Sequence, residues 1–353
     1  MSVNSCRSCK SCFFDEKFPG VTIEENGNCN FCNSRYFLNK KEKQVLFDIE
    51  KLQSIAADLK KQRKGKYDCV IGASGGLDSS YILYVAKKIL KLNPLAVNYD
   101  SGFVNEIASD NLKTICNKLG IDLKVLKSTK GYNLKYIKFT VLALKDVNAY
   151  WGICKFCHYI LSDVIFKTAL EVKATTILKS LNLYEDELYV KTSLKVKFML
   201  KNILQLNPVE LLKFIFYSII AQYYLIRLKL EFYLPPISNI FKIKPKMPKG
   251  LKEVNITDFV KWDIGKMVEA LEKEAGWRIP KGLKLPMRFD CKIGQSFLNH
   301  SFKRATGITT HGIICNNLIY DGTKTKNELK DTNELYDDTS LKLKEMMKEL
   351  GID

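Results

Sequence analysis

The stretch Cys69-Val70-Ile71-Gly72-Ala73-Ser74-Gly75-Gly76-Leu77-Asp78-Ser79-Ser80 constrains this chain more than any other. A short apolar run enters a loop of small residues and leaves into residues 81–86, which read as a helix. A buried strand, a tight glycine turn and a helix start are the parts of an anion cradle. Gly75 and Gly76 allow a sharp turn and close approach of backbone to a ligand. The amides of a helix start point outward, and the helix dipole favours negative charge there. Ser74, Ser79 and Ser80 add hydroxyl donors. Asp78 is acidic and should not meet a phosphate bare. It suits a helix cap or a magnesium ion that accompanies phosphates.

Ser74-Gly75-Gly76-Leu77-Asp78-Ser79-Ser80 after an apolar strand resembles the PP-loop of the ATP pyrophosphatases, the adenine nucleotide alpha-hydrolases. It is not a Walker loop, because no Gly-Lys-Ser/Thr closes it. The resemblance implies that ATP with Mg2+ binds over the loop and that a substrate oxygen receives AMP while pyrophosphate leaves. A nitrogen or sulfur nucleophile then displaces AMP. It makes Ser74 and Asp78 the candidate catalytic residues, and Ser74, Gly75, Gly76, Asp78, Ser79 and Ser80 the candidate nucleotide-binding ones.

Eleven cysteines cluster rather than spread, and no apolar run follows Met1. The reading is therefore a reducing, cytoplasmic setting with cysteines as metal ligands. Cys9 and Cys12, then Cys29 and Cys32, form two Cys-x-x-Cys knuckles that offer four thiolates, and Zn2+ is the default ion. Cys6 makes an overlapping knuckle with Cys9, which leaves the register open. Cys12-Phe13-Phe14-Asp15, with Pro19-Gly20 and Glu25-Asn26-Gly27-Asn28-Cys29-Asn30-Phe31-Cys32, resembles the start of the N-acetyl sugar amidotransferases of surface-polysaccharide synthesis. That resemblance implies a nucleotide-linked sugar substrate, whose N-acetyl group is adenylated for attack by ammonia. It also implies a separate glutaminase subunit as the ammonia source, since no glutaminase segment is evident.

Residues 36–64 read as one helix, with Leu46, Ile49, Leu52, Ile55 and Leu59 at helical spacing. From 69 to 130 strand and helix alternate, which predicts a doubly wound parallel α/β sheet with ligands at the strand C-termini. The segment 95–99 is the second strand. The PP-loop resemblance places that strand beside adenine, making Asn98 and Tyr99 nucleotide candidates. After a strand near 174–178, PP-loop enzymes often carry Thr-Gly-His-Asn followed by acids. Here the segment reads Lys179-Ser180-Leu181-Asn182-Leu183-Tyr184-Glu185-Asp186-Glu187. Asn182 remains as a nucleotide candidate and Asp186 as a magnesium candidate, while the Gly-His pair is missing.

Cys154 and Cys157 precede His158, and a third candidate, Cys291, lies far along the chain. Such a trio resembles the tRNA thiolases of the same superfamily, which hold a 4Fe-4S cluster on three cysteines with one iron open. A second zinc site, catalytic persulfide thiols and a buried structural pair are the competing readings. The first resemblance gives an amidotransferase and the second a sulfurtransferase acting on tRNA or a small molecule. A non-catalytic nucleotide-binding adaptor is the third class.

The net charge is +18, from 56 Lys and Arg against 38 Asp and Glu. It suits an anionic partner such as nucleic acid or a membrane surface, or follows from general lysine usage. The apolar stretch 211–234 reads first as a buried helix or subunit interface in a homo-oligomer. Peripheral contact with the inner membrane face is the alternative. The expected divisions are a knuckle at 1–35, a linker helix at 36–66 and a PP-loop domain at 67–190. An apolar insertion at 191–250 and a helical region at 251–353 follow.

Overall fold

A computed structural model describes residues 6–39, 48–182, 184, 192–232, 246–335 and 339–352. Five parallel strands build the sheet: β1 (Cys69–Gly72), β2 (Pro94–Asp100), β3 (Asp122–Lys127), β4 (Thr176–Lys179) and β5 (Lys252–Asn255). Their order is β3-β2-β1-β4-β5. Ile71 pairs with Ala96 on one side and Leu178 on the other, so β1 is central and the winding reverses between β1 and β4. A crevice outside the strand C-termini at such a reversal is where open α/β sheets bind ligands.

The period-two pleat sends alternate residues to two cores. Cys69, Ile71, Ala96 and Leu178 face one, whereas Val70, Leu95, Val97 and Ile177 face the other. The first core is covered by α1 (Ile49–Gln62), α2 (Leu77–Tyr84) and α3 (Glu106–Leu119). The second is covered by α4 (Tyr132–Leu144) and α5 (Trp151–Glu171). The fold is thus a doubly wound α/β sheet. Asp48 has extended backbone (φ −109°, ψ 90°) and accepts from Lys51 N at 2.8 Å, so it caps α1. The expected single helix over 36–64 is therefore broken at this residue.

The sheet continues past residue 190. After α6 (Thr192–Ile203) and α7 (Pro208–Phe232) the chain returns and adds β5 at the edge. Lys252 and Glu253 are exposed on this strand, which removes the apolar signal that sequence reading needs. Within the region 251–353, expected to be helical, β5 comes first and the next α-helix is α8 (Ile264–Ala270). There Asp263 accepts from Lys266 N at 3.1 Å and fixes the start.

A helical C-terminal region follows: α9 (Asn299–Thr306), α10 (Thr310–Tyr320), α11 (Lys326–Leu335) and α12 (Thr339–Glu349). The N-terminal cysteine segment packs on it. Phe14, Phe18 and Val21 share a third apolar cluster with Phe302, Ile308 and Ile313. Phe13 N donates to Asn316 Oδ1 at 2.8 Å.

Among the described residues, α7 is the one helix long and apolar enough to cross a membrane, with a mean hydropathy of 1.4. Only 11% of that window is buried. The expected buried helix is not what forms, because one face packs on α4 while the other stands in solvent.

Candidate active site

The loop after β1 is held from several sides. Ala73 N donates to Val97 O at 2.9 Å and Asn98 Nδ2 donates to Ala73 O at 2.7 Å. Gly75 takes φ +84°, and a Cβ there would sit 1.8 Å from Ala108 O of α3. Trp277 Nε1 donates to Gly75 O at 3.0 Å. The turn is thus wedged between α3 and an indole far away in sequence. Gly76 N-caps α2 with no side-chain cap hydrogen bond. A helix start without a side-chain cap presents amide donors to an anion.

Serines line the same turn. Ser74 N donates to Ser79 Oγ at 3.1 Å, and the two hydroxyls lie 3.3 Å apart. Ser80 is fully buried, and its Oγ has no hydrogen-bond partner among the described residues. A Cβ on Gly76 would come 3.3 Å from Asp290 Cγ and 3.4 Å from Ser74 Oγ. The space over Gly76 is therefore a slot walled by a carboxyl and a hydroxyl. A glycine turn, amide donors and hydroxyls fit a polyphosphate that brings its own cation. Asp78 and Asp290 are the carboxylates beside it.

The loop after β4 meets the loop after β1 at the sheet reversal. Asn182 Nδ2 donates to Asp78 Oδ2 at 3.2 Å, and Asn182 Oδ1 accepts from Tyr184 N at 2.9 Å. Asn317 Nδ2 on α10 donates to Tyr184 O at 2.9 Å, which ties this loop to the C-terminal region. Asn182→Ala removes the amide that orients Asp78. On the PP-loop resemblance, its expected outcome is about a tenfold fall in kcat/KM for ATP, read by pyrophosphate release, because a hydrogen bond to a charged group is lost. Asp186, the magnesium candidate, lies outside the described residues.

Asn98 and Tyr99 are adjacent on β2, so the pleat separates them. Asn98 holds the loop, whereas Tyr99 faces the second core, where its hydroxyl donates to Asn133 Oδ1 at 2.6 Å. The structure does not bring Tyr99 to the loop. It places Tyr99 with the middle cysteines instead. Cys154 and Cys157 are three residues apart on α5 and so share a face. Both pack in the core that contains Tyr99 and Tyr136, as does Cys291. Burial, then the nearby Cys291, pushes Cys157 up to about 12, and burial pushes Cys291 up to about 11. Cys291 bridges to Val104 just beyond β2 and directly follows Asp290, which walls the loop. Cys291 is therefore the member of the trio that the chain sets next to the residue walling the slot. These three sulfurs are not drawn within 4.8 Å of one another.

The N-terminal four are drawn that tightly. The sulfurs of Cys9, Cys12, Cys29 and Cys32 all lie within 4.8 Å of one another, the one such group among the described residues. Cys6 is exposed and apart, which settles the register. Hydrogen bonding with Cys12 holds Cys9 down, and hydrogen bonding with Cys29 holds Cys12 up, the behaviour of thiols crowded around shared protons. Four sulfurs so placed fit a tetrahedral metal ion, and all-sulfur ligation suits Zn2+. Tyr320 on α10 donates from its hydroxyl to Cys12 Sγ at 3.2 Å. Tyr320→Phe is expected to weaken metal binding about tenfold, read by chelator competition, since outer partners orient the ligands.

Asp290, Trp277 and Tyr320 are the site residues that motif reading missed. No local pattern marks a residue that arrives by tertiary packing.

No family model matches the chain. Over 77 residues it is 35% identical to the uncharacterized protein MJ1599 of Methanocaldococcus jannaschii. That match covers 22% of this chain and 27% of that protein. Among solved structures it is similar to the U34-tRNA thiolase NcsA of Methanococcus maripaludis with its 4Fe-4S cluster, at 16% identity and a TM-score of 0.37, covering 98% of this chain and 88% of that one. It is also similar to an NH3-dependent NAD synthetase from Campylobacter jejuni, at 14% identity and a TM-score of 0.30, covering 53% of this chain and 96% of that one.

Proposed function

We propose that this chain is an ATP-dependent sulfurtransferase that adenylates a carbonyl oxygen of a substrate, with tRNA as the favoured class. The observation that supports it is Cys291, which packs on the same core as Cys154 and Cys157 and directly follows Asp290, the residue that walls the glycine slot. ATP lies over residues 74–80, with its phosphates on the α2 amides and the Ser74 and Ser79 hydroxyls. Asp78, oriented by Asn182, and Asp290 hold the Mg2+. The substrate oxygen attacks the α-phosphorus and pyrophosphate leaves. Sulfide then attacks the activated carbon, the carbon–oxygen bond breaks, and AMP departs with that oxygen. Positioning and charge neutralisation supply most of the rate. Cys154, Cys157 and Cys291 would hold a 4Fe-4S cluster whose open iron supplies a place for sulfide. The net charge of +18 suits a polyanionic substrate, and its binding should weaken steeply with salt.

The amidotransferase reading shares the adenylation half and rests on the N-terminal cysteine spacing. It leaves the three middle cysteines as core packing and needs an ammonia source. Cys291→Ala separates the two. Under the sulfur reading it keeps ATP–pyrophosphate exchange and loses ATP-dependent incorporation of labelled sulfide into tRNA by a factor of about a hundred or more. Undiminished sulfur incorporation by this variant would overturn the reading.

A further inference from the structure

The helical pair α6–α7 carries an outward surface unlike the rest of the molecule. Of the nineteen exposed large apolar side chains among the described residues, ten lie between Val196 and Tyr223. Leu204 at the turn is 85% exposed, Leu212 is 68% and Ile219 is 65%. Leu212, Phe216, Ile219 and Tyr223 repeat every three or four residues, so they form one stripe along α7. Ala221, Leu225 and Leu228 on the opposite side are buried. The apolar stripe therefore faces away from the domain, and the helix meets its own core with its other side.

The stripe is bordered by cations. Lys197, Lys201, Lys213 and Arg227 are exposed on the same two helices. The two acids there, Glu210 and Glu231, are not exposed. Glu210 accepts from Asn207 N at 2.9 Å, and Glu231 accepts from Ser128 Oγ at 2.7 Å. A second copy of the chain would bring this positive border against its own like charge, on molecules that each carry +18. An anionic surface would meet both the cations and the apolar stripe favourably.

The helix also cannot leave the domain to stand across a bilayer. Thr129 N donates to Glu231 Oε1 at 2.8 Å and Lys167 Nζ donates to Phe232 O at 2.6 Å. Arg227 donates to the Tyr132 hydroxyl at 2.8 Å, and Tyr224 stacks on Phe139 at 5.6 Å. These contacts, all between residues 224 and 232, tie the C-terminal part of α7 to the domain along its inner side. A helix so tied, about 37 Å long at 1.5 Å per residue, offers its outer face flat.

We propose that the outer face of α6–α7 docks on an anionic lipid bilayer, lying in the interfacial plane with Leu204, Leu212, Phe216 and Ile219 inserted. Lys197, Lys201 and Lys213 sit at the headgroups. Apolar burial supplies the attachment, and the cations select anionic lipid.

The full chain, sedimented with vesicles of phosphatidylcholine alone or with 30% phosphatidylglycerol, tests this. Binding to the anionic vesicles is expected, about tenfold or more weaker on the neutral ones. The pair Phe216→Ser with Ile219→Ser should lower binding at least about tenfold. Lys201→Glu with Lys213→Glu should lower it on anionic vesicles alone. All four positions are exposed or solvent-facing, and a circular dichroism melt matching the native one verifies that each variant folds. Native protein that stays in the supernatant with anionic vesicles overturns the proposal. So does a concentration-dependent dimer, abolished by Phe216→Ser with Ile219→Ser, in place of vesicle binding.

Discussion

Gly75→Ala is expected to abolish nucleotide turnover and to destabilise the chain at once. Gly75 sits at φ +84°, where a side chain is strained by about 1–2 kcal/mol. The added methyl would also lie 1.8 Å from Ala108 O and 2.7 Å from Ala108 C. Those are backbone atoms of α3, which cannot swing aside as a side-chain end can. The loop must move, and Trp277 then loses the carbonyl that its indole nitrogen uses. The combined loss is about 3 kcal/mol or more in stability, read by urea denaturation. Pyrophosphate release should fall about a thousandfold, because the amides that meet the phosphates are displaced. Gly76→Ala provides the contrast. Gly76 has φ −67°, and its added methyl meets only Asp290 and Ser74 side chains at 3.3–3.5 Å. That variant should fold nearly as the native protein does and lose ATP affinity. A Gly75→Ala protein with native turnover would remove the loop from the account.

The second large effect is expected at the four-cysteine centre. Cys9, Cys12 and Cys29 are buried inside the third apolar cluster, so their surroundings cannot hydrate thiolates. A bound ion makes the four sulfurs compatible with burial, and structural zinc contributes about 10 kcal/mol of apparent binding energy in small domains. Cys12→Ser, or a strong chelator, should release the segment from α10 and expose it to protease. The contacts at stake are Phe13 N to Asn316 and Tyr320 to Cys12. Acid should act in the same direction. The ligands must be deprotonated, so falling pH favours protonated thiols and metal release, and rising pH favours the bound state. Protease protection that survives full metal removal would contradict a structural ion at this centre.

Local features of the fold were legible and distant ones were not. The strand–loop–helix over 69–84 is written in adjacent residues, because apolar run, paired glycines and helix start each have a short-range cause. The alternation of strand and helix over 69–130 is equally local: the helix at Glu106–Leu119 starts where Asn105 accepts from Ile107 N and ends at Gly120 with φ 60°. β5 was hidden, because Lys252 and Glu253 look outward at a sheet edge. The break at Asp48 was hidden by apolar spacing that runs through it. At the site, Asp78 and Asn182 were named from their motifs, yet their 3.2 Å hydrogen bond follows from the sheet order alone. Asp290 reaches the slot only because residues near 290 pack beside the end of β2, where Asn105 N donates to Asp290 O at 2.9 Å. Tyr99, unlike its neighbour Asn98, faces the second core for a similar reason. Alternation decides which of two neighbours meets the loop, and the strand's register was not yet known.

The central claim is that the middle cysteines serve sulfur transfer next to the phosphate slot. The most direct measurement is iron and acid-labile sulfide content, with a visible spectrum, on anaerobically purified native protein and on its Cys157→Ala variant. The account predicts about four irons and four sulfides per chain in the native protein. It predicts their loss in the variant, with the metal of the N-terminal four cysteines retained. A native protein with the N-terminal metal in place and no iron or sulfide would contradict the sulfur-transfer reading and favour amidotransfer.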